Sequence, residues 1–160
     1  MSESSTAASA ALHLFSYGLY AIGVRAGDER NAFTANWVAQ VSSDPARVAV
    51  AVECDGRSAG MMRREGVFSV CVFGADQRKM AARLARPSER APEKLAGYEH
   101  VDGPATGAPV LADCLAHVEC RVRHVMELDD HVLFIGDVVG GGVRTDGEPL
   151  TLRGAGFRYG

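Results

Sequence analysis

Apolar and polar residues alternate in short blocks along most of the chain, with Gly, Pro, Asn or Asp between blocks, the period-two pattern of strands joined by turns. Leu19 to Arg25 (LYAIGVR) predicts a first strand, closed by Ala26-Gly27-Asp28. Asn31 to Ser42 (NAFTANWVAQVS) predicts a second, with Phe33, Ala35, Trp37, Ala39 and Val41 on one face and Thr34, Asn36 and Gln40 on the other. Asp44-Pro45 stops it, and Arg47 to Glu53 (RVAVAVE), apolar on both faces, predicts a central strand covered on both sides. Arg57 to Glu65 has no β-branched residue and predicts a short helix ending at Gly66. Val67 to Phe73 (VFSVCVF) predicts another core strand. Asp76 is placed to cap a helix over Gln77 to Arg86, in which Met80, Ala81 and Leu84 recur at helical spacing.

The second half is less regular. Ser88 to Pro109 carries Pro92, Pro104, Pro109 and three glycines, which predicts a long excursion that covers a ligand or a partner subunit. Ala116 to Leu128 alternates Val118, Cys120 and Val122 against His117, Glu119, Arg121 and Arg123, a strand with one wet face. His131 to Val139 pairs with it through an Asp129-Asp130 turn. Gly140-Gly141-Gly142 then signals a bulge, a barrel corner or a close backbone approach, and Leu150 to Gly160 adds a short last strand. The sum is an all-β dominated domain with short helices over residues 12–160. Residues 1–11, small and polar, read as a disordered N-terminal arm.

Composition narrows the classes. The 160 residues suit one domain, large enough to fold without disulfides or metals. No apolar run approaches the roughly 20 residues of a membrane helix, which argues against a membrane span. With 17 basic against 20 acidic residues the net charge is −3, and basic residues cluster only as pairs such as Arg63-Arg64, so nothing points to nucleic acid. Cys54, Cys71, Cys114 and Cys120 form no C-x-x-C pair and read as reduced and mostly buried. Met1 to Ala11 lacks both the basic and the apolar region of a secretory signal, so a cytoplasmic location is the default.

Motif searches remove much chemistry. There is no G-x-S-x-G, H-E-x-x-H, phosphate-loop lysine motif or G-x-G-x-x-G after a strand, and the five histidines have no metal-ligand spacing. What remains is polar groups near strand ends. Thr34, Asn36, Gln40, Ser42 and Ser43 share one segment, and Asp55-Gly56-Arg57-Ser58 follows the central strand directly. The latter suits a phosphate: Gly admits close backbone N–H groups, Ser adds a hydroxyl, Arg a charge, and a helix begins there. It equally suits an exposed polar turn before a helix.

Four ordered segments resemble the flavin reductase-like, FMN-binding split-barrel family. Thr34 to Pro45 is similar to its T-A-N-x-x-x-x-V-S-x-D-P segment. Gly66 to Val72, with Asp76-Gln77 and Leu84-Ala85, is similar to G-x-F-x-V-N-V-L-x-x-D-Q-x-x-L-A. Gly107-Ala108-Pro109-Val110-Leu111 before Glu119-Cys120-Arg121 resembles the G-x-P-x-L and x-E-C-x-V pair, and Asp130 to Val138 resembles G-D-H-x-L-F-I-G-x-V. The likeness covers Leu12 to Tyr159.

The resemblance implies a six-stranded Greek-key split β-barrel that forms a homodimer, with FMN or FAD near the subunit interface. Carried over by position, Thr34, Ala35, Asn36 and Trp37 with Val41, Ser42 and Ser43 line the isoalloxazine edge. Asp55, Gly56, Arg57 and Ser58 take the flavin phosphate. Cys54 adjoins that loop and is grouped with it, an inert buried thiol being the plainer role. His131 matches a histidine near the flavin and nicotinamide site, the alternative being a turn histidine bonded to Asp129 or Asp130. Trp37 either shields the flavin or belongs to the core. The implied activity is hydride transfer from NADH or NADPH to flavin, with the cofactor carrying the chemistry, which suits a chain without catalytic dyads. Reduced flavin or its electrons then pass to a partner such as a monooxygenase. The other reading is a split-barrel module that holds flavin without fast nicotinamide turnover.

Overall fold

A computed structural model describes residues 3–158. Seven strands make the main sheet in the order β2-β1-β5-β8-β9-β4-β3. They are β1 (Tyr20–Ala26), β2 (Glu29–Ala35), β3 (Val38–Ser43), β4 (Ala46–Glu53), β5 (Val67–Val72), β8 (Ala116–Glu127) and β9 (His131–Val143). A separate hairpin pairs β6 (His100–Asp102) with β7 (Pro109–Leu111). Helix α2 (Arg57–Glu65) links β4 to β5, and α3 (Arg78–Leu84) follows β5.

The sheet order explains the barrel. Strands β2 and β3 are opposite edges of the sheet, yet only Asn36 and Trp37 separate them in the chain. The sheet must therefore curl until its edges meet there. The segment expected as one strand over residues 31–42 divides at this corner, its first half pairing with β1 and its second with β4. That gives the main sheet one strand more than the six expected. The face assignment fails with it: the register shifts between Gln40 and Ser42, and Val41 stands 52% exposed.

Turn chemistry sets the hairpins. Gly27 takes a φ of 56° in the two-residue connection of β1 to β2, a conformation open to glycine at little cost. Leu128 N donates to His131 O at 2.8 Å across Asp129-Asp130, as the pattern predicts. Strand β4 lies between β3 and β9, so it is internal, with Val50 and Val52 buried.

Two apolar clusters form the core. Ile22, Val24, Val50, Val52, Phe68, Val70, Cys120, Val132 and Phe134 fill one, plugged by Met61 and Met62 of α2. Leu19, Ala21, Cys71, Phe73, Leu84, Val110 and Leu150 fill the other. Strand β5 is buried on both faces because alternate residues serve alternate clusters.

Several expectations need correction. Glu3–Leu12 is a helix, α1, where a disordered arm was expected; its residues from Ser5 onward lie exposed, and Met1 and Ser2 fall outside the described residues. Asp76 does not cap α3, whose N-cap position is Gln77 with no side-chain cap. The three glycines, by contrast, behave as expected: β9 runs through them to Val143 with a register shift between Glu119 and Cys120, and a Cβ on Gly141 would come within 2.4 Å of His117 O, a close backbone approach. The last segment makes isolated bridges at Pro149 and Thr151 and then helix α4 (Leu152–Ala155), not a strand; Tyr159 and Gly160 lie outside the described residues. The wet face of β8 includes Glu119, which is only 1% exposed. Part of the excursion folds over it: its carboxylate accepts from Thr106 N and Thr106 Oγ1 at 2.8 Å each and from Ala105 N at 3.1 Å. A Cβ on Gly103 would come within 2.3 Å of that carboxylate, so only glycine lets the loop approach.

Candidate functional site

A cavity of about 490 Å³ opens where the β2–β3 corner meets the end of β4, the start of α2, the end of α3 with its following loop, and the C-terminal segment. Phe33, Thr34, Ala35, Asn36 and Trp37 line it from the corner. Gly56, Arg57 and Ser58 line it from α2, Arg86, Pro87, Ser88, Glu89 and Lys94 from beyond α3, and Leu152, Phe157 and Arg158 from the chain end.

Hydrogen bonds set the rim. The Asn31 side chain, 1% exposed, donates from Nδ2 to Ser58 Oγ and to Ser88 Oγ at 3.0 Å each, tying the start of α2 to the loop after α3. Thr34 Oγ1 donates to Ala81 O at 2.6 Å and anchors the corner to α3. Asn36 is 5% exposed, and its enclosed Nδ2 has no protein partner. Such a group costs about 1–3 kcal/mol unless something else pairs with it.

Positive charge gathers at one part of the wall. The first turn of α2 has no side-chain cap and no acidic residue, so its N–H groups and dipole are available to an anion. Arg57 pairs with Glu29 at 3.0 Å while remaining part of the lining. Lys94, 3% exposed, donates from Nζ to Leu84 O at 2.9 Å and Arg86 O at 2.8 Å. Burial pushes its ammonium down to about 8, against the pull of Glu89 and with the help of the Arg57 charge.

Of the expected site residues, Thr34, Ala35, Asn36, Trp37, Gly56, Arg57 and Ser58 converge on this cavity. The others do not line it. Val41, Ser42 and Ser43 sit on the edge strand β3. Asp55 is exposed, and Cys54 turns its thiol toward Asp129 O at 3.9 Å. His131, 8% exposed, lies against Trp37 with ring centroids 4.7 Å apart. Its Nδ1 sits 2.8 Å from Asp130 Oδ1, a bond that holds the Asp130 carboxyl below the usual range. The ionised carboxylate accepts, so Nδ1 carries the hydrogen and Nε2 is the remaining ring nitrogen. The turn-histidine partner and the neighbour of the site are thus the same residue. All four cysteines are free, and burial pushes the Cys120 thiol up to about 12, an inert position.

Residue-type patterns missed Phe33, Ser88, Lys94, Phe157 and Arg158. The Pro- and Gly-rich excursion marked the right neighbourhood for Ser88 and Lys94, whereas nothing local marks the chain end.

Comparison with known proteins accords with this geometry. Residues 12–160 match the flavin reductase like domain, and the chain belongs to that family. It is 37% identical over 132 residues to an NADH-dependent FMN reductase of Streptomyces nodosus subsp. asukaensis, covering 80% of this chain and 69% of that protein. It is 32% identical over 145 residues to a high molecular weight rubredoxin of Moorella thermoacetica, covering 88% of this chain and 62% of that protein. The chain thus spans about three fifths to two thirds of these relatives, 62% and 69%. Among solved structures, the flavin reductase component of a bacterial two-component tryptophan halogenase superposes with a TM-score of 0.80 at 30% identity, covering 96% of each chain. Among the described residues, no helix is long and apolar enough to cross a membrane.

Proposed function

We propose that the protein is an NADH-dependent flavin reductase that binds FMN or FAD in the cavity at the β2–β3 corner and supplies reduced flavin to a partner oxygenase. The observation that carries this reading is the orphaned Asn36 amide inside a cavity whose wall also bears Arg57, Lys94 and the uncapped start of α2. An unpaired buried donor beside a cationic phosphate cradle fits a polar-edged ring joined to a phosphate. The names of the relatives favour NADH as donor, and the halogenase component favours delivery to a second enzyme.

Flavin, if bound here, would supply the two-electron redox chemistry toward a nicotinamide. The chain's own residues bind and orient. Asn36 Nδ2 offers a donor to an acceptor on the ring edge, and Thr34 fixes the corner through α3. Ser58 and the start of α2 receive the phosphate, with Arg57 and Lys94 supplying charge. Trp37 closes one side against water. His131 reaches the cavity through Trp37, so its part is positioning, with Asp130 fixing its tautomer.

The reading includes a homodimer, in which the exposed Val125, Met126 and Leu128 at the β8–β9 hairpin tip and Val41 on β3 gain cover, and a cytoplasmic location that keeps the four thiols reduced. Val41, Ser42 and Ser43 would then act at the subunit interface. The match to a high molecular weight rubredoxin favours a second reading, a flavin held for transfer to a protein acceptor without NADH turnover.

An anaerobic visible spectrum with FMN, then NADH, decides between them. Bleaching of the band at about 450 nm over many turnovers is expected. Bound but unbleached flavin would leave the second reading, and no binding would remove both. His131→Ala should slow the bleaching severalfold with flavin affinity kept; an unchanged rate returns His131 to its turn.

A further inference from the structure

The chain end contributes to the cavity although no site motif reaches it. Thr151 bridges Gly18, and Leu152 N donates to Tyr17 O at 3.0 Å. Thr151 Oγ1 then caps Gly154 N at 2.9 Å, and Gly156, at a φ of 72°, reverses the backbone so that Phe157 N donates to Leu152 O at 3.2 Å. Arg78 Nε donates to Ala155 O and pins the turn to α3. These bonds aim the next two residues. Phe157 packs half-buried on the cluster containing Leu19 and Leu84 and also forms cavity wall. Arg158 follows it on the lining, exposed, and among the described residues its guanidinium makes no ion pair.

We propose that the C-terminal segment is a specificity element of the cavity, with Phe157 packing on the planar ring of the ligand and Arg158 attracting its anionic group. The inference rests on the flavin reading and deepens it. The physical reasons are separate for the two residues. A phenyl ring already anchored on one side by the core presents its other surface at little entropic cost, and planar rings pack well on such a platform. Arg57 is shared with Glu29 and Lys94 with two carbonyls, so Arg158, together with Arg86, is a cation of this wall with no competing partner among those shown.

Quenching of flavin fluorescence by the full chain, titrated with riboflavin, FMN and FAD, tests both parts. Phe157→Leu keeps apolar bulk and should weaken all three flavins by roughly two- to tenfold, whereas Phe157→Tyr keeps the ring and should hold wild-type affinity. Arg158→Gln should weaken FMN and FAD by about threefold and leave riboflavin unchanged. Unchanged affinity in Phe157→Leu, or equal losses in the Leu and Tyr variants, overturns the ring contact. Equal effects of Arg158→Gln on riboflavin and FMN overturn the anion contact. Wild-type protein that binds none of the three instead sinks the underlying flavin reading, so the two failures are distinct.

Discussion

Glu119 and Asn36 are both buried polar side chains in the wall of the barrel, 1% and 5% exposed, but the protein treats them differently. It folds part of a loop, Ala105 and Thr106, over the Glu119 carboxylate and meets it with two backbone N–H groups and a hydroxyl. It leaves the Asn36 amide nitrogen enclosed with no protein partner. The first arrangement is complete and holds a loop in place. The second is incomplete, and an incomplete buried donor in a cavity is stable only in the sense that a ligand completes it. The contrast belongs to this pair: Arg25 Nε and His117 Nδ1 are also enclosed without a protein partner, but neither lines this cavity, whereas Asn36 does.

Three changes break or sharpen that contrast, in decreasing order of expected effect. Glu119→Ala strips the acceptor from Ala105 N, Thr106 N and Thr106 Oγ1 and should cost about 3 kcal/mol of stability in urea unfolding, with flavin affinity kept. A loss below about 1 kcal/mol would mean that water replaces the carboxylate easily, and the contrast would fail. Asn36→Ala should do the reverse, keeping the stability of the ligand-free protein or raising it by about 1 kcal/mol as the orphaned donor is removed, while flavin affinity drops roughly three- to tenfold. A large stability loss would show that Asn36 already belongs to the scaffold.

The third is a pH effect at Lys94. Its folded value of about 8 lies below the ordinary 10.5, so the cost of burying the charge is present below about 8 and is relieved as pH rises from about 8 toward 10.5. Stability from this group therefore increases over that window. Phosphate binding runs the opposite way, because the ammonium that attracts the anion is lost. FMN affinity should fall severalfold between pH 7 and 9 while riboflavin affinity stays level, and Lys94→Met should flatten the FMN profile. A riboflavin profile parallel to that of FMN would remove Lys94 from the phosphate end.

Much of the fold was legible because it rests on local rules. The strand at Val67–Val72, the helix Arg57–Glu65 ended by Gly66 at a φ of 67°, and the Asp129-Asp130 hairpin follow from periodicity, capping and turn residues a few positions apart. Part of the cavity was legible for a similar reason, since Thr34 to Trp37 and Gly56 to Ser58 are short segments with matching motifs. The failures share a cause too. Asn31–Ser42 reads as one strand because alternation continues through Asn36 and Trp37, and only the strand pairing shows that the chain passes there from one edge of the curled sheet to the other. Glu119 reads as wet because its cover comes from residues 13 and 14 positions earlier.

By itself, then, the sequence determined most of the strands, turns and helices between Tyr20 and Val143, though not the division at Asn36-Trp37 or the helices at Glu3–Leu12 and Leu152–Ala155, and by motif it pointed to the family. Those features depend on the spacing of residues within one element or one turn. The tertiary structure decided which groups meet. It brought Lys94 from a Pro-rich loop and Phe157 and Arg158 from the chain end to the wall that Asn36 lines, and set His131 against Trp37. The physical reason is that burial and hydrogen-bond satisfaction are set by neighbours distant along the chain, and one sequence window carries no record of them.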